Sequence, residues 1–309
     1  FNGRPHAEYN ALNKKLNFNN SNLYVTLEPC SHYGVTPPCT NLINKKKVKK
    51  VFFSIYDSDI RSKNKSKNIL KSRNISVNSK ILEKEGKDFY ESYFLQHSDK
   101  LPLIDAKIAI SKDYFTINKK KRWITNLHSR KRSHVIRSTY DCLISTSKSI
   151  NYDNSILNCR IEGLEKKCPD LVIIDRNLKL KKNLKLFNNM KYRKILLVTC
   201  KNNSKKLSFF KSRGVKIIKV GQLNSFKDYK NLFFKLKKKY SRILVEAGLN
   251  FTNFLIKNEL IKNIYIFQSF YKLKNQGTNN SSPNIIKKIK LKNQISVNLF
   301  GDQIYKEKI

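Results

Sequence analysis

The sequence predicts an α/β protein built from two successive domains. Short β-branched runs alternate with amphipathic stretches along the whole chain, and one polar segment, Gln96 to Leu101 before Pro102, interrupts that alternation. The 309 residues are enough for two separate cores at roughly 100–200 residues each. With 39% hydrophobic and 11% aromatic residues, a disordered polycation is excluded. No apolar run approaches the ~18 residues of a spanning helix, so no membrane partner is expected.

Taken in order, residues 5–16 read as a helix with Pro5 in its first turn and Ala7, Ala11 and Leu12 facing inward. A strand is expected at 23–27 and a loop at 28–38. A helix at 39–46 then leads into a strand at 51–55. Residues 64–73 and 81–95 read as helices flanking a short strand at 75–77. Beyond the boundary the second series predicts strands at 103–110, 142–145, 171–174, 195–199, 215–220, 243–245, 264–268 and 295–300. Its helices are expected at 126–139, 205–212, 226–239 and 249–257, and the Asn- and Ser-rich stretch 274–283 reads as a surface loop. There is no internal repeat. The domains expected are therefore 1–98 and 99–309.

Charge is the most conspicuous compositional feature: 64 Lys and Arg against 22 Asp and Glu, a formal net charge of +42. Such a charge invites a nucleic-acid reading, since phosphate neutralisation dominates that affinity. Composition argues against it, because 52 of the cations are Lys and 12 are Arg, whereas forked recognition of phosphate and guanine favours Arg. The lysines are spread along the chain, and Asn and Ile are plentiful while Gly (9) and Pro (7) are scarce. This pattern reads as codon drift expressed on a solvated surface, and no nucleic-acid partner is expected. The six cysteines do not form a secretory framework, and residues 1–6 show no basic-then-apolar leader pattern, so a reducing, cytoplasmic compartment is expected.

Two groups of residues can carry chemistry. His6-Ala7-Glu8 at a helix start, with Glu28-Pro29-Cys30 and Pro37-Pro38-Cys39, offers one imidazole, one carboxylate and two thiolates. Three protein ligands leave the fourth tetrahedral position of zinc open to water, the catalytic pattern. Glu8, two residues from His6, is placed to carry protons rather than to ligate. Two buried free cysteines and an incidental histidine are the bland alternative. The second group is Val245-Glu246-Ala247-Gly248, a strand end turning into a helix whose N-terminus could accept a phosphate. No Gly-x-Gly-x-x-Gly is present, and a purely structural glycine is the alternative there.

The string His6-Ala7-Glu8, Tyr24-Val25-Thr26-Leu27-Glu28-Pro29-Cys30-Ser31-His32-Tyr33-Gly34 and Thr36-Pro37-Pro38-Cys39 resembles the family of bifunctional riboflavin-biosynthesis deaminase/reductases. Eight residues between the cysteines are characteristic of it. The resemblance implies a cytidine-deaminase-like three-layer domain in which His6, Cys30 and Cys39 bind one Zn2+ and Glu8 is the proton shuttle; His32 reads as a loop residue near the substrate, with a fourth zinc ligand as the alternative. Lys107-Ile108-Ala109-Ile110-Ser111, Trp123-Ile124-Thr125, Arg130, Arg137, Asp153, Leu157 and Arg160 fall in the order of the family's reductase half. That half has a dihydrofolate-reductase-like fold. The carry-over implies that Trp123, Ser149, Asp153 and Gly248 contact NADPH. It likewise implies that Lys107, Arg137, Leu157, Arg160 and Glu246 contact a pyrimidine ribotide, with Arg137 and Arg160 able to fork onto its phosphate. Gly301-Asp302 matches the family's last strand.

The implied reactions are hydrolytic deamination of 2,5-diamino-6-ribosylamino-4(3H)-pyrimidinone 5′-phosphate and NADPH reduction of the ribosyl to a ribityl chain. A nucleic-acid deaminase, and a paralogue with one active domain, are the alternatives; homo-oligomerisation is left open. The chain departs from the family at several positions. It begins after the point where family members carry a first helix and strand pair, which reads as a fragment of a longer gene product. Ser111-Lys112-Asp113-Tyr114 stands for Ser-Leu-Asp-Gly, Lys121 for a serine and Ser149 for a threonine. Tyr114 is expected to resist the positive φ that a glycine would adopt.

Overall fold

The computed structural model describes residues 5–188, 190–282 and 284–309. The chain divides into two compact units, Phe1–Ser98 and Asp99–Ile309.

In the first unit the order is α1 (Ala7–Leu12), β1 (Asn22–Leu27), α2 (Cys39–Lys45), β2 (Lys50–Ile55), α3 (Ser66–Lys71), β3 (Ser76–Ser79) and α4 (Glu83–Gln96). The three strands form a parallel sheet in the order β1-β2-β3. Leu23, Val51, Phe53 and Val77 turn to one face, where they bury Leu12 of α1, Ile43 of α2 and Leu70 of α3. Ser54 points the other way, as strand alternation requires, and meets α4. A β-carbon on Gly86 of α4 would stand 2.2 Å from Ser54 Oγ. Only glycine permits that approach of helix to strand.

The second unit contains β4 (Leu103–Ile110), β5 (Ile117–Asn118), α5 (Leu127–Arg137), β6 (Cys142–Thr146), α6 (Ser147–Asp153), β7 (Asp170–Ile174) and β8 (Ile195–Thr199). It continues with α7 (Ser204–Ser212), β9 (Lys216–Lys219), α8 (Phe226–Lys237), β10 (Arg242–Val245), α9 (Leu249–Lys257), β11 (Asn263–Gln268), β12 (Gly277–Thr278) and β13 (Gln303–Lys308). Eight strands make one sheet in the order β13-β11-β4-β10-β6-β7-β8-β9. The pairs are parallel except β11 with β13. Both faces are covered, which is why the central strands are apolar without alternation. Ile144, Val172, Val198 and Val245 pack against Phe233 and Leu236 of α8 and Leu255 of α9. Leu143, Leu171, Leu197 and Leu244 pack against Ile136 of α5, Ile150 of α6 and Phe210 of α7. Among the described residues no helix is long and apolar enough to cross a membrane.

The structure corrects several expectations. Helix α1 stops at Leu12 rather than 16, because Lys14, Lys15 and the largely exposed Leu16 offer no apolar face. Its buried pair is Glu8 and Leu12, four residues apart, while Ala7 and Ala11 are exposed. Helix α6 is absent from the sequence expectation; it lacks an apolar stripe and is started by Thr146 Oγ1, which accepts from the Ser149 N–H. Residues 295–300 are not a strand and contribute one isolated bridge, Leu299 to Asp302. The last strand is the polar β13, whose Ile304 reaches the core. It follows the turn at Gly301, where φ is +94°. Gly277 and Thr278, inside the expected loop, pair with Asn118 and Ile117; Pro283 at that loop's end lies outside the described residues.

Candidate active sites

In the first unit two helix starts and the loop after a strand converge. His6 is the N-cap of α1, Cys30 follows β1, and Cys39 opens α2. His6 Nδ1 lies 3.5 Å from Cys30 Sγ and 3.4 Å from Cys39 Sγ, and the three ligand atoms all lie within 4.8 Å of one another. The donor set suits zinc: one imidazole and two sulfurs, three protein ligands among the described residues. The Cys39 backbone N–H donates to Cys30 Sγ at 3.2 Å, as it would to a thiolate. The Cys39 side chain, this N–H and the nearby His6 hold the Cys30 thiol down at about 5. Cys39 is pushed up in return, since two neighbouring sulfurs share one proton. Glu8, two residues beyond His6, is buried beside them, and burial raises its pKa.

The loops are fixed by a residue that sequence reasoning passed over. Glu28, only 2% exposed, accepts from the Asp57 N–H at 3.2 Å, the Asn64 N–H at 3.0 Å and both the N–H (3.1 Å) and Oγ (2.8 Å) of Ser66. A carboxylate with all these donors anchors the backbone just before Pro29-Cys30. Its place in the Glu-Pro-Cys motif was the available signal. His32 bonds Ser62 Oγ at 2.8 Å and is outside the three-residue cluster.

In the second unit the site gathers at the carboxyl ends of β10 and β6 beside β4, the usual crevice of a parallel sheet. Glu246, the first residue after β10, takes a two-pronged bond from Arg137 of α5: Nε to Oε1 at 2.5 Å and Nη2 to Oε2 at 2.9 Å. Lys107 Nζ of β4 lies 3.5 Å from Oε2. Burial opposes the charge on Glu246, but Arg137 and Lys107 overrule it and hold its pKa at about 2. Burial lowers that of Lys107. Arg137 Nη1 also donates to the Asn158 carbonyl at 2.9 Å, so its fork faces Glu246 and the loop backbone rather than solvent. The expectation that Arg137 forks onto a phosphate therefore meets a buried guanidinium already engaged.

Leu157 is buried and Arg160 exposed; Arg160 Nη1 donates to Asn158 Oδ1 at 2.9 Å. Asp153 lies within electrostatic reach of Lys107, and Arg122 donates to its carbonyl. Trp123 is half exposed between the guanidinium groups of Arg122 at 4.8 Å and Arg130 at 4.9 Å. Ser149 Oγ accepts from the Gly248 N–H at 3.0 Å, so that amide is not free for a phosphate. Gly248 has ordinary extended backbone; its role is space, since a β-carbon would stand 3.3 Å from Asn280 Nδ2 and 3.4 Å from Ser149 Oγ. Tyr114 does adopt the positive φ it was expected to resist, +66°. The amides of Asn279 and Asn284 hold its carbonyl at 3.3 and 2.9 Å.

His134 of α5 was also missed. Its Nδ1–H donates to the Asn158 carbonyl at 2.8 Å, and burial, then Arg137, lower its pKa to about 4 from the usual 6.5. A group held neutral in the fold but charged when unfolded adds stability that is complete above pH 6.5 and lost as pH falls toward 4. Glu246 adds a second loss of the same sign, between its usual 4.5 and about 2. The second unit should therefore weaken in two acid steps, the upper one on the order of 3 kcal/mol at most. Thermal unfolding of the native protein and of His134→Gln between pH 7 and 4 checks this. The variant should lack the upper step, and an unchanged slope would refute it.

Comparison with known proteins decides the family. Residues 102–269 match the RibD C-terminal domain, more than half of the chain, and residues 2–55 match the cytidine and deoxycytidylate deaminase zinc-binding region. The chain belongs to the RibD family. The riboflavin biosynthesis protein RibD of Aquifex aeolicus is 29% identical over 269 residues, 86% of this chain and 74% of that protein. The solved deaminase/reductase of Thermotoga maritima superposes with a TM-score of 0.78 at 24% identity, covering 98% of this chain and 85% of its own. The yeast riboflavin biosynthesis reductase Rib7 gives a TM-score of 0.54 at 19% identity over 72% of this chain and 98% of its own, a likeness of fold. As a RibD protein, the chain is an enzyme of riboflavin biosynthesis with zinc deaminase and reductase activities.

Proposed function

We propose that residues 1–98 hydrolytically deaminate 2,5-diamino-6-ribosylamino-4(3H)-pyrimidinone 5′-phosphate and that residues 99–309 reduce the product's ribosyl group with NADPH. The observation that carries this reading is the convergence of His6, Cys30 and Cys39 beside the buried Glu8. One Zn2+ would be held by His6 Nδ1 and the two sulfurs. When bound, the ion supplies Lewis acidity that makes water a nucleophile near neutral pH. Glu28 keeps the Cys30 loop in place for it. Glu8, its pKa raised by burial, takes a proton on its carboxylate and returns it to the departing amine.

In the reductase, NADPH would lie along Trp123, Ser149, Asp153 and Gly248, where the side-chain-free Gly248 leaves room between Ser149 and Asn280. The nucleotide supplies a hydride when bound. Leu157 and Arg160 would contact the ribotide, with Lys107 and Glu246 beside it. Arg137 keeps Glu246 ionised and the Asn158 loop in register, so catalysis here rests on positioning. None of the six cysteines is joined in a disulfide, which supports a reducing, cytoplasmic location.

A zinc chelator separates the two activities. Chelation should abolish ammonia release from the diaminopyrimidinone ribotide while NADPH oxidation on the already deaminated ribotide continues. Ammonia release that survives loss of the metal would overturn the reading.

A further inference from the structure

We propose that Arg193 is a positioning residue for the reductase: its guanidinium holds Leu157 in a left-handed backbone conformation and thereby sets where Leu157 and Arg160 stand. The inference rests on the reading that these two residues contact the ribotide. Leu157 has φ +54°, a conformation costly for a branched L-residue, which persists only where its surroundings impose it. The imposing group is Arg193, from the segment between β7 and β8 rather than from any motif. Its Nη1 donates to the Leu157 carbonyl at 2.5 Å and its Nη2 to the Ile156 carbonyl. A planar fork on two consecutive carbonyls fixes the intervening peptide, which a single ammonium cannot do.

The opposite side of the loop is held from α5, where His134 and Arg137 both donate to the Asn158 carbonyl. Three successive carbonyls, 156 to 158, thus each receive a side-chain donor. Asn158 passes the constraint on, because its Oδ1 takes the Arg160 guanidinium. Arg193 is 6% exposed, its Nε has no partner, and among the described residues it forms no salt bridge. Burial lowers its pKa to about 10, so the fork stays charged at neutral pH. Its two carbonyl bonds are what its burial achieves.

A double-mutant cycle on the full chain tests this, read as KM and kcat for the deaminated ribotide. With Leu157 retained, Arg193→Lys should raise KM about tenfold and leave kcat within about twofold, the signature of lost positioning. In the Leu157→Gly background, where positive φ needs no holding, the same substitution should change KM less than about twofold. An equal effect in both backgrounds, or a fall in kcat with KM unchanged, would overturn the proposal. If Arg193→Lys does not fold as a single variant, the proposal requires that it fold when combined with Leu157→Gly, and failure of both overturns it. Arg160→Ala separates the two levels. If it leaves KM unchanged, the ribotide reading fails; if it raises KM while Arg193→Lys does not, the Arg193 inference alone fails.

Discussion

Replacing Glu8 with Gln should lower the rate of ammonia release by about 10²–10⁴-fold, the usual contribution of a positioned proton carrier, with zinc content and reductase activity unchanged. The expectation rests on where the carboxylate stands. Glu8 and Leu12 form the buried edge of α1, so the carboxyl is held against the Cys30 and Cys39 sulfurs with His6 two residues before it. Burial raises its pKa, which brings a carboxylic acid closer to the neutral range where it can both accept and return a proton. Glutamine keeps the shape and loses only that ability. Rates are read from ammonia release at saturating ribotide, with metal content measured on the same samples. A variant that still deaminates at the native rate would remove Glu8 from the mechanism, and one that loses zinc would make it a structural residue of the metal site.

Replacing Glu246 with Gln should destabilise the reductase unit by about 3–5 kcal/mol, the cost of breaking a buried ion pair from one side. At about 2–4 °C per kcal/mol for a domain of this size, the midpoint should fall by on the order of 10 °C. The reason is the arrangement of charge: Glu246 is the shared counter-ion of Arg137 and Lys107, all three with little access to water. Removing the carboxylate leaves two cations facing each other without it. The double variant Arg137→Met, Glu246→Leu should recover part of the loss, because one cation, Lys107, rather than two is then left without its counter-ion. Thermal unfolding monitored on the reductase signal measures both. Equal destabilisation in the single and the double variant would show that shape, not charge, is what the pair contributes.

Much of the frame could be read from residue pattern. Strands β4 and β8 and helix α9 lie where the residue pattern predicted them, the strands because segments buried on both faces are continuously apolar. Elements without that signature were not legible. Helix α6 depends on a Thr146 cap, and β13 is half charged, with Glu307 receiving the Lys292 and Asn293 amides at 2.6 and 2.7 Å. The His6, Cys30 and Cys39 cluster was legible because its residue types are rare and its spacing is unusual. The Lys107, Arg137 and Glu246 cluster was legible only through resemblance, since these are common letters, lysine especially so in a chain of net charge +42.

Sequence alone determined the two α/β domains, the His6, Cys30 and Cys39 set, and the family resemblance that the domain matches bear out. These are local properties: period of apolar residues, caps, and short motifs on single loops. Tertiary structure decided which charges face one another. It turned Arg137 inward onto Glu246, took the Gly248 amide for Ser149, made Glu28 an anchor, and brought Arg193 across to a left-handed Leu157. Such pairings join residues from 29 to 109 positions apart, and their strength comes from exclusion of water. Neither separation nor burial is written in the local sequence; both arise only when the sheet and its helices close around the site.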